Sequence, residues 1–280
     1  MREILLLKNV IEFLKYFNNE KQLLFWVARI LSEKEEEEMV GEFPAIAITP
    51  ASFPGTIEQW LGAELPDFLQ SPVYLPESLR YSSNRVVIAL IENFGLFELT
   101  FFRPQFLIKT FEILFMIDAE RPFTMPLSQE IITGSKEPTI FNIFTDLRQK
   151  ERSSLLIARD WFVRVFSGES ESIMVNDDLQ AFTETHENIN NFALNFVVFS
   201  DFEDLYATSG RPPLDVAREV VNRSSSWISL LWEKAIAGTI FLVIGSLGKS
   251  GLDYGLTGRL AEWKESSIPI ALVAQKPRPK

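Results

Sequence analysis

The chain has 280 residues, of which 46% are hydrophobic, and its formal net charge at pH 7 is −11. This length and composition suit one large α/β domain or two small ones with a full core. The absence of cysteine excludes disulfides and thiolate metal sites. The negative charge argues against a broad nucleic-acid surface, which would need clustered Lys and Arg. Because no apolar run is long enough to span a bilayer and the N-terminus has no cleavage-site pattern, we expect a cytoplasmic protein without a membrane span.

Residues 1–44 are predicted to form an N-terminal helical extension. Apolar residues recur at helical spacing from Leu5 to Val27, and a turn over Phe17–Lys21 divides the segment into two helices. The apolar stripes are wide rather than a strict heptad seam, which favours packing against the rest of the chain. A surface for self-association or for a partner protein is the alternative. We therefore predict two regions, the extension over residues 1–44 and an α/β domain over residues 45–280.

Apolar strands alternate with helices after a proline-rich stretch that ends near Ser83. Fully apolar strands separated by helices are typical of an α/β fold, with a mainly parallel sheet and helices on both faces. In such sheets, ligands bind beyond the carboxyl ends of the strands. The predicted strands are Arg85–Glu92, Glu112–Asp118, Phe192–Ser200, Gly238–Gly245 and Ser267–Gln275, with weaker candidates in "SSLLIARDW" and "ESIMVND"; the predicted helices are Thr56–Ala63, Leu96–Thr110 and Pro213–Trp232.

One motif resembles a known nucleophile region. Residues Thr124–Gly134 read "TMPLSQEIITG" and follow a strand that ends "VVIALIENFG" (Val86–Gly95). The pair resembles the alkaline-phosphatase superfamily, in its phosphodiesterase and nucleotide-pyrophosphatase branch. That family has a Thr or Ser nucleophile at this spacing from a Thr-Gly pair, here Thr133 and Gly134. The resemblance therefore gives Thr124 the position of the nucleophile.

The same resemblance assigns two candidate metal ligands. Glu92 stands where the family has a metal-binding Asp, and Asn93 stands at the glycine that follows it. In "VVFSDFEDLYATSGRPP", an alignment without gaps places Glu203 at a second metal-binding Asp and Ala207 at a His. A shift of one residue would use Asp204 instead of Glu203.

The segment "LVIGSLGKSG" departs from the family. The family has Asp-His-Gly after this strand, but here Ser246 and Leu247 replace the Asp and the His. The segment also superficially resembles a phosphate-binding loop, although Val243 stands where that pattern requires glycine. The chain contains a single histidine, His186, which lies in a polar stretch and is predicted to be a surface residue.

These departures decide the functional expectation. The family holds two metals with several Asp and His, and most of those ligands are missing here. We therefore expect a non-catalytic protein, a pseudoenzyme without a cofactor, which binds a partner protein or itself. The alternative is a divergent phosphodiesterase or nucleotide-pyrophosphatase-type hydrolase, with Thr124 as nucleophile and with Glu92 and Glu203 as ligands of Mg²⁺ or Mn²⁺.

Overall fold

The computed structural model describes residues 45–73, 82–249, 253–256 and 268–278. The predicted N-terminal helical extension, residues 1–44, lies outside this part of the chain, so the division at residue 44 stays a prediction. None of the described helices has the length and apolar character needed to cross a membrane.

Strands and helices alternate along most of the described chain. The strands are β1 (Ala45–Ile48), β2 (Val86–Ile91), β3 (Ile113–Ile117), β4 (Ser154–Ala158), β5 (Glu171–Met174), β6 (Leu194–Phe199), β7 (Ile240–Gly245) and β8 (Ile270–Gln275). The helices are α1 (Phe53–Trp60), which follows a short 3-10 helix at Pro50–Ser52, α2 (Leu96–Phe102), α3 (Gln105–Thr110), α4 (Thr124–Thr133), α5 (Ile143–Gln149), α6 (Asp160–Phe166), α7 (Asp178–Asn188), α8 (Asp201–Ser209) and α9 (Leu214–Lys234).

The eight described strands form one sheet in the order β1-β3-β8-β7-β2-β6-β4-β5. Strand β8 runs antiparallel to its neighbours β3 and β7, and the other described strand pairs are parallel. The predicted mainly parallel α/β sheet is confirmed. Strand β2 lies near the middle, and all six of its residues are buried.

Helices cover both faces of the sheet, as the apolar strands predict. Along β2, alternate side chains point to opposite faces. Val87, Ala89 and Ile91 join a core that includes residues of α2, α7, α8 and α9. Val86, Ile88 and Leu90 join a second core, with residues of α1, α4, α5 and α6. A strand buried on both faces needs apolar residues throughout, which is why β2 reads as a continuous apolar run.

Two segments differ from the sequence predictions. The helix predicted over Leu96–Thr110 is two helices, because Arg103 adopts a left-handed conformation with φ of 51° and Pro104 follows it. The motif Thr124–Gly134 contains a helix of ten residues, which is not among the predicted helices. Gly134 ends that helix with φ of 69°, a conformation that glycine adopts without steric penalty.

The last residue of β7 is a glycine because the backbone of Phe94 crosses it closely. A Cβ atom added at Gly245 would lie 1.6 Å from the carbonyl oxygen of Phe94. No L side chain fits at that distance. Gly245 therefore lets the turn after β2 lie against the end of β7.

We predict that Gly245→Ala lowers the free energy of unfolding by about 3 kcal/mol, because the clash is with backbone rather than with a side chain that can move. Urea denaturation measures the change. Gly62→Ala is the matched control: nothing lies within 4 Å of its added Cβ, and only the φ of 66° opposes the substitution, so a loss of about 1 kcal/mol is expected there. Equal losses in the two variants would contradict the close approach.

Candidate functional site

The candidate site lies where β2, β6 and β7 end at the same edge of the sheet. Ile91 of β2 is in register with Phe199 of β6 and with Gly245 of β7. The residue after each of these strand ends is polar and buried. Glu92, Ser200 and Ser246 therefore meet at the carboxyl edge, where α/β sheets bind their ligands.

Thr124 reaches this edge from the first turn of α4. Its hydroxyl donates a hydrogen bond to Ser246 Oγ at 3.3 Å. Ser246 Oγ also accepts a hydrogen bond from the backbone N–H of Asn93 at 2.9 Å. The backbone N–H of Leu247 donates to the carbonyl of Pro122 at 2.8 Å, which holds the segment before α4 against the loop after β7.

Glu92 carries the most enclosed carboxyl at the ends of these three strands. Its relative exposure is 4%. Burial raises the pKa of Glu92, and the nearby charge of Glu203 raises it further. The nearby hydroxyls of Ser200 and Thr124 lower the pKa of Glu92, as does the charge of Arg159. Glu92, Thr124, Glu203 and Ser246 thus lie together, as the family resemblance implies, while their chemical roles stay predictions.

Asn93 connects Glu92 to Glu203. Its side-chain amide donates a hydrogen bond to the Glu203 carboxylate. Its φ of 57° is left-handed, and Asn is among the few residues other than glycine that adopt this region readily. Asn93 therefore adopts a backbone conformation here that most other residues would find strained.

Asp204, the alternative metal ligand, is engaged elsewhere. Both carboxylate oxygens of Asp204 accept hydrogen bonds from the Arg159 guanidinium, one of them at 2.9 Å from Nη1. Arg159 follows β4 directly, so this pair joins the ends of β4 and α8. The structure places Glu203, rather than Asp204, against the turn after β2.

The donor set at this edge does not fit a two-metal centre. Within the described ranges, no three side chains of His, Cys, Asp or Glu are grouped so as to hold a metal ion. Glu203 is bound by the Asn93 amide, Asp204 by a guanidinium, and the position after β7 offers the neutral hydroxyl of Ser246. A pair of divalent ions requires more anionic or imidazole ligands than these.

His186 does not supply the missing imidazole. It lies in the last turn of α7, where it is half-buried and packs against Phe182, with ring centroids 5.6 Å apart. This partial exposure agrees with the predicted surface position, although Phe182 covers part of the ring.

A buried carboxylate that the sequence reasoning missed holds the loop after β7. Glu98 is fully buried and accepts hydrogen bonds from Gly95 N–H at 2.8 Å, Lys249 N–H at 2.9 Å and Tyr254 Oη at 2.7 Å. Burial raises its pKa to about 7. Glu98 is the third residue of α2 and accepts from the backbone N–H of the N-cap Gly95, and this half of a capping box was available from the sequence. Its two distant partners were not.

A second missed carboxylate positions Ser200. Asp178, at the start of α7, accepts hydrogen bonds from Ser200 N–H at 2.5 Å and from Asp201 N–H at 3.0 Å. The Asp201 carboxylate accepts a hydrogen bond from the backbone N–H of Asp178 at 3.2 Å and pairs with Arg223 at 2.8 Å. Burial and the neighbouring charge of Asp201 raise the pKa of Asp178 to about 7. The reciprocal contact fixes the start of α8 and hence the orientation of Glu203.

Comparisons with known proteins support the fold. No protein-family model and no curated protein matches the chain. Among solved structures, the C-terminal periplasmic domain of EcEptC from Escherichia coli, in a complex with Zn, is similar at 11% identity over 69% of this chain and 73% of that chain, with a TM-score of 0.51. A protein of the alkaline-phosphatase superfamily from Vibrio parahaemolyticus is 15% identical over 69% of this chain and 61% of that chain, with a TM-score of 0.47. Murine ectonucleotide pyrophosphatase/phosphodiesterase 5 is 10% identical over 59% of this chain and 57% of that chain, with a TM-score of 0.45.

At such low identities, structural similarity shows the fold alone. The chain has an alkaline-phosphatase-like α/β fold, which confirms the fold expected from the motif at Thr124–Gly134. Its chemistry has to be argued from the residues of its own site.

We predict that the protein loses stability as pH rises, because several buried carboxyls have raised pKa values. Burial raises the pKa values of Glu58 to about 8 and of Glu98 and Asp178 to about 7, from ordinary values near 4. At pH values between the ordinary and the raised pKa of each group, the folded state binds more protons than the unfolded state. The free energy of unfolding therefore falls with increasing pH. We expect the thermal midpoint to decrease from about pH 5 to about pH 8.

Glu98→Gln isolates one contribution to this trend. Because the variant has no carboxyl to titrate at this position, its midpoint should fall less steeply over the same range. Its absolute stability should be lower at acidic pH, since the amide presents N–H groups to donors that need an acceptor. Glu137→Gln changes an exposed loop residue and is the control. Parallel curves for Glu98→Gln and the unsubstituted protein would refute the assignment.

Proposed function

We propose that the chain is a non-catalytic protein with an alkaline-phosphatase-like fold that acts by binding. In this proposal the residues at the carboxyl ends of β2, β6 and β7 have a structural role rather than a catalytic one. The observation that carries this proposal is the engagement of the site residues with one another. Thr124 donates to Ser246, Ser246 accepts from Asn93, and Asn93 donates to Glu203.

The chemistry of phosphoryl transfer supports the same proposal. A threonine hydroxyl is a weak nucleophile unless a base or a metal activates it. In two-metal sites the cations also neutralise the charge that develops on the phosphoryl group. Here Glu92 and Glu203 present carboxyls at that edge, and a phosphate anion beside them would meet like charge at a cost of several kcal/mol. Arg159, whose charge lowers the pKa of Glu92, is paired with Asp204.

The site therefore suits internal stabilisation better than turnover. The cytoplasmic location and the binding partner stay predictions.

Metal content gives the first test. We expect protein purified without chelator to contain far less than one equivalent of Zn²⁺, Mg²⁺ or Mn²⁺ in elemental analysis, because the edge supplies too few anionic ligands. Dialysis against each metal should leave the thermal midpoint unchanged, since a ligand that binds only the folded state would raise it. Two stoichiometric metals per chain would contradict the proposal.

A divergent hydrolase is the second candidate, and the contact between Glu92 and Thr124 favours it. A buried carboxylate with a raised pKa that lies beside a hydroxyl is the arrangement of a general base and a nucleophile. In this alternative Glu92 would take the proton from Thr124 as the hydroxyl attacks a phosphoester.

Hydrolysis of bis(p-nitrophenyl) phosphate in the presence of Mg²⁺ or Mn²⁺ separates the two candidates. The non-catalytic proposal predicts a rate equal to that of buffer. The hydrolase alternative predicts release of nitrophenol that Thr124→Ala abolishes and Thr124→Ser retains, because serine keeps the hydroxyl. Thr183→Ala, on the exposed side of α7, is the matched control. Activity that survives in Thr124→Ala would exclude the hydrolase alternative at this site.

A further inference from the structure

Strand β5 ends the described sheet with one edge open. It pairs with β4 on one side, and no other described strand lies beside it. Val175 N–H donates to the carbonyl of Ala158 at 3.0 Å, which fixes the alternation along the strand. Ser172 and Met174 therefore direct their N–H and C=O groups away from β4. An open strand edge of this kind is a template for the addition of another strand.

Exposed apolar side chains border this edge on both faces of the sheet. Trp161 and Val165 lie one helical turn apart on α6 and are 39% and 54% exposed. Met174 on β5 is 52% exposed, and Leu179 at the start of α7 is 60% exposed. Single exposed apolar residues are ordinary on protein surfaces. Here four of them lie on β5 or on the helices before and after it, and we call Trp161, Val165, Met174, Leu179 and β5 together the β5 edge.

The charge beside the β5 edge is negative. Glu169, Glu171 and Asp177 are exposed and flank the two ends of the strand. None of the three forms an ion pair with another described residue. A second copy of this chain, with its net charge of −11, would bring like charges together. A segment that carries Lys or Arg would be attracted instead.

We propose that the β5 edge binds an extended segment of a partner protein in which apolar residues alternate with Lys or Arg. The segment pairs its backbone with the outward N–H and C=O groups of Ser172 and Met174 and extends the sheet by one strand. Its apolar side chains cover Val165, Met174 and Leu179, and its basic side chains lie near the flanking carboxylates. Backbone pairing supplies affinity, and the alternation of side chains supplies specificity.

Fluorescence anisotropy with the full chain tests this proposal. The probe is a labelled peptide of alternating Lys and Val, and a peptide of alternating Glu and Val serves as its charge control. The Lys-Val peptide should bind, and Ser172→Pro should weaken binding by about tenfold, because proline removes an outward N–H that β4 does not use. Ser172→Ala retains that N–H and should stay within about twofold of the unsubstituted protein. Circular dichroism confirms that both variants fold.

Charge reversal provides the second arm. Glu169→Lys combined with Glu171→Lys should weaken binding of the Lys-Val peptide by about fivefold and reduce its dependence on salt. Equal binding to Ser172→Pro and to Ser172→Ala would overturn the proposal, since the peptide would then lie elsewhere. Sedimentation velocity tests the competing occupant: a dimer of the unsubstituted protein that Ser172→Pro dissociates would assign the β5 edge to a second copy and overturn the partner proposed here.

Discussion

The burial of β2 on both faces and along both edges is the constraint on which the rest of the structure depends. All six of its residues are enclosed, so helices must cover both faces and β6 and β7 must supply its hydrogen bonds. The strand registers that form these hydrogen bonds also place the carboxyl ends of β2, β6 and β7 side by side. The residues that follow, Glu92, Ser200 and Ser246, are therefore enclosed by the same packing that stabilises the core, and their polar groups need partners within the protein.

Buried carboxylates provide much of that pairing. Glu98 accepts three hydrogen bonds and joins α2 to the loop after β7, while Asp178 accepts two and joins α7 to the start of α8. Desolvation opposes the charged form of each, which is the cause of their raised pKa values. The donors recover part of that penalty because hydrogen bonds to ionised acceptors are stronger than neutral ones. The geometry of this edge thus depends on carboxylates that are unfavourable to bury alone and are stabilised by the donors that hydrogen-bond to them.

The sequence predicts those strands and helices that are identified by patterns among neighbouring residues. The continuous apolar runs of β2, β6 and β7 identify buried strands, and Pro213 before a long amphipathic segment identifies α9. Helices α5 to α8 escape prediction because their seven to eleven residues carry too little periodicity, and their helical state depends on packing. The same reason explains why the ten-residue helix that begins at Thr124 is not among the predicted helices. The pairs Arg159–Asp204 and Glu98–Lys249 join residues 45 and 151 positions apart, and no local pattern reports such contacts.

Charge compensation explains how several carboxylates are accommodated at the carboxyl ends of β2, β4 and β6. Carboxylates that gather at one point repel one another unless cations, protons or hydrogen bonds neutralise them. Here burial raises the pKa of Glu92, an amide binds Glu203, a guanidinium binds Asp204, and a neutral hydroxyl stands at Ser246. Each of these contacts lowers the local demand for a bound cation, and each also engages a group that a cation could use. The contacts that stabilise this edge without added positive charge are therefore the same ones on which the non-catalytic proposal for Thr124 rests.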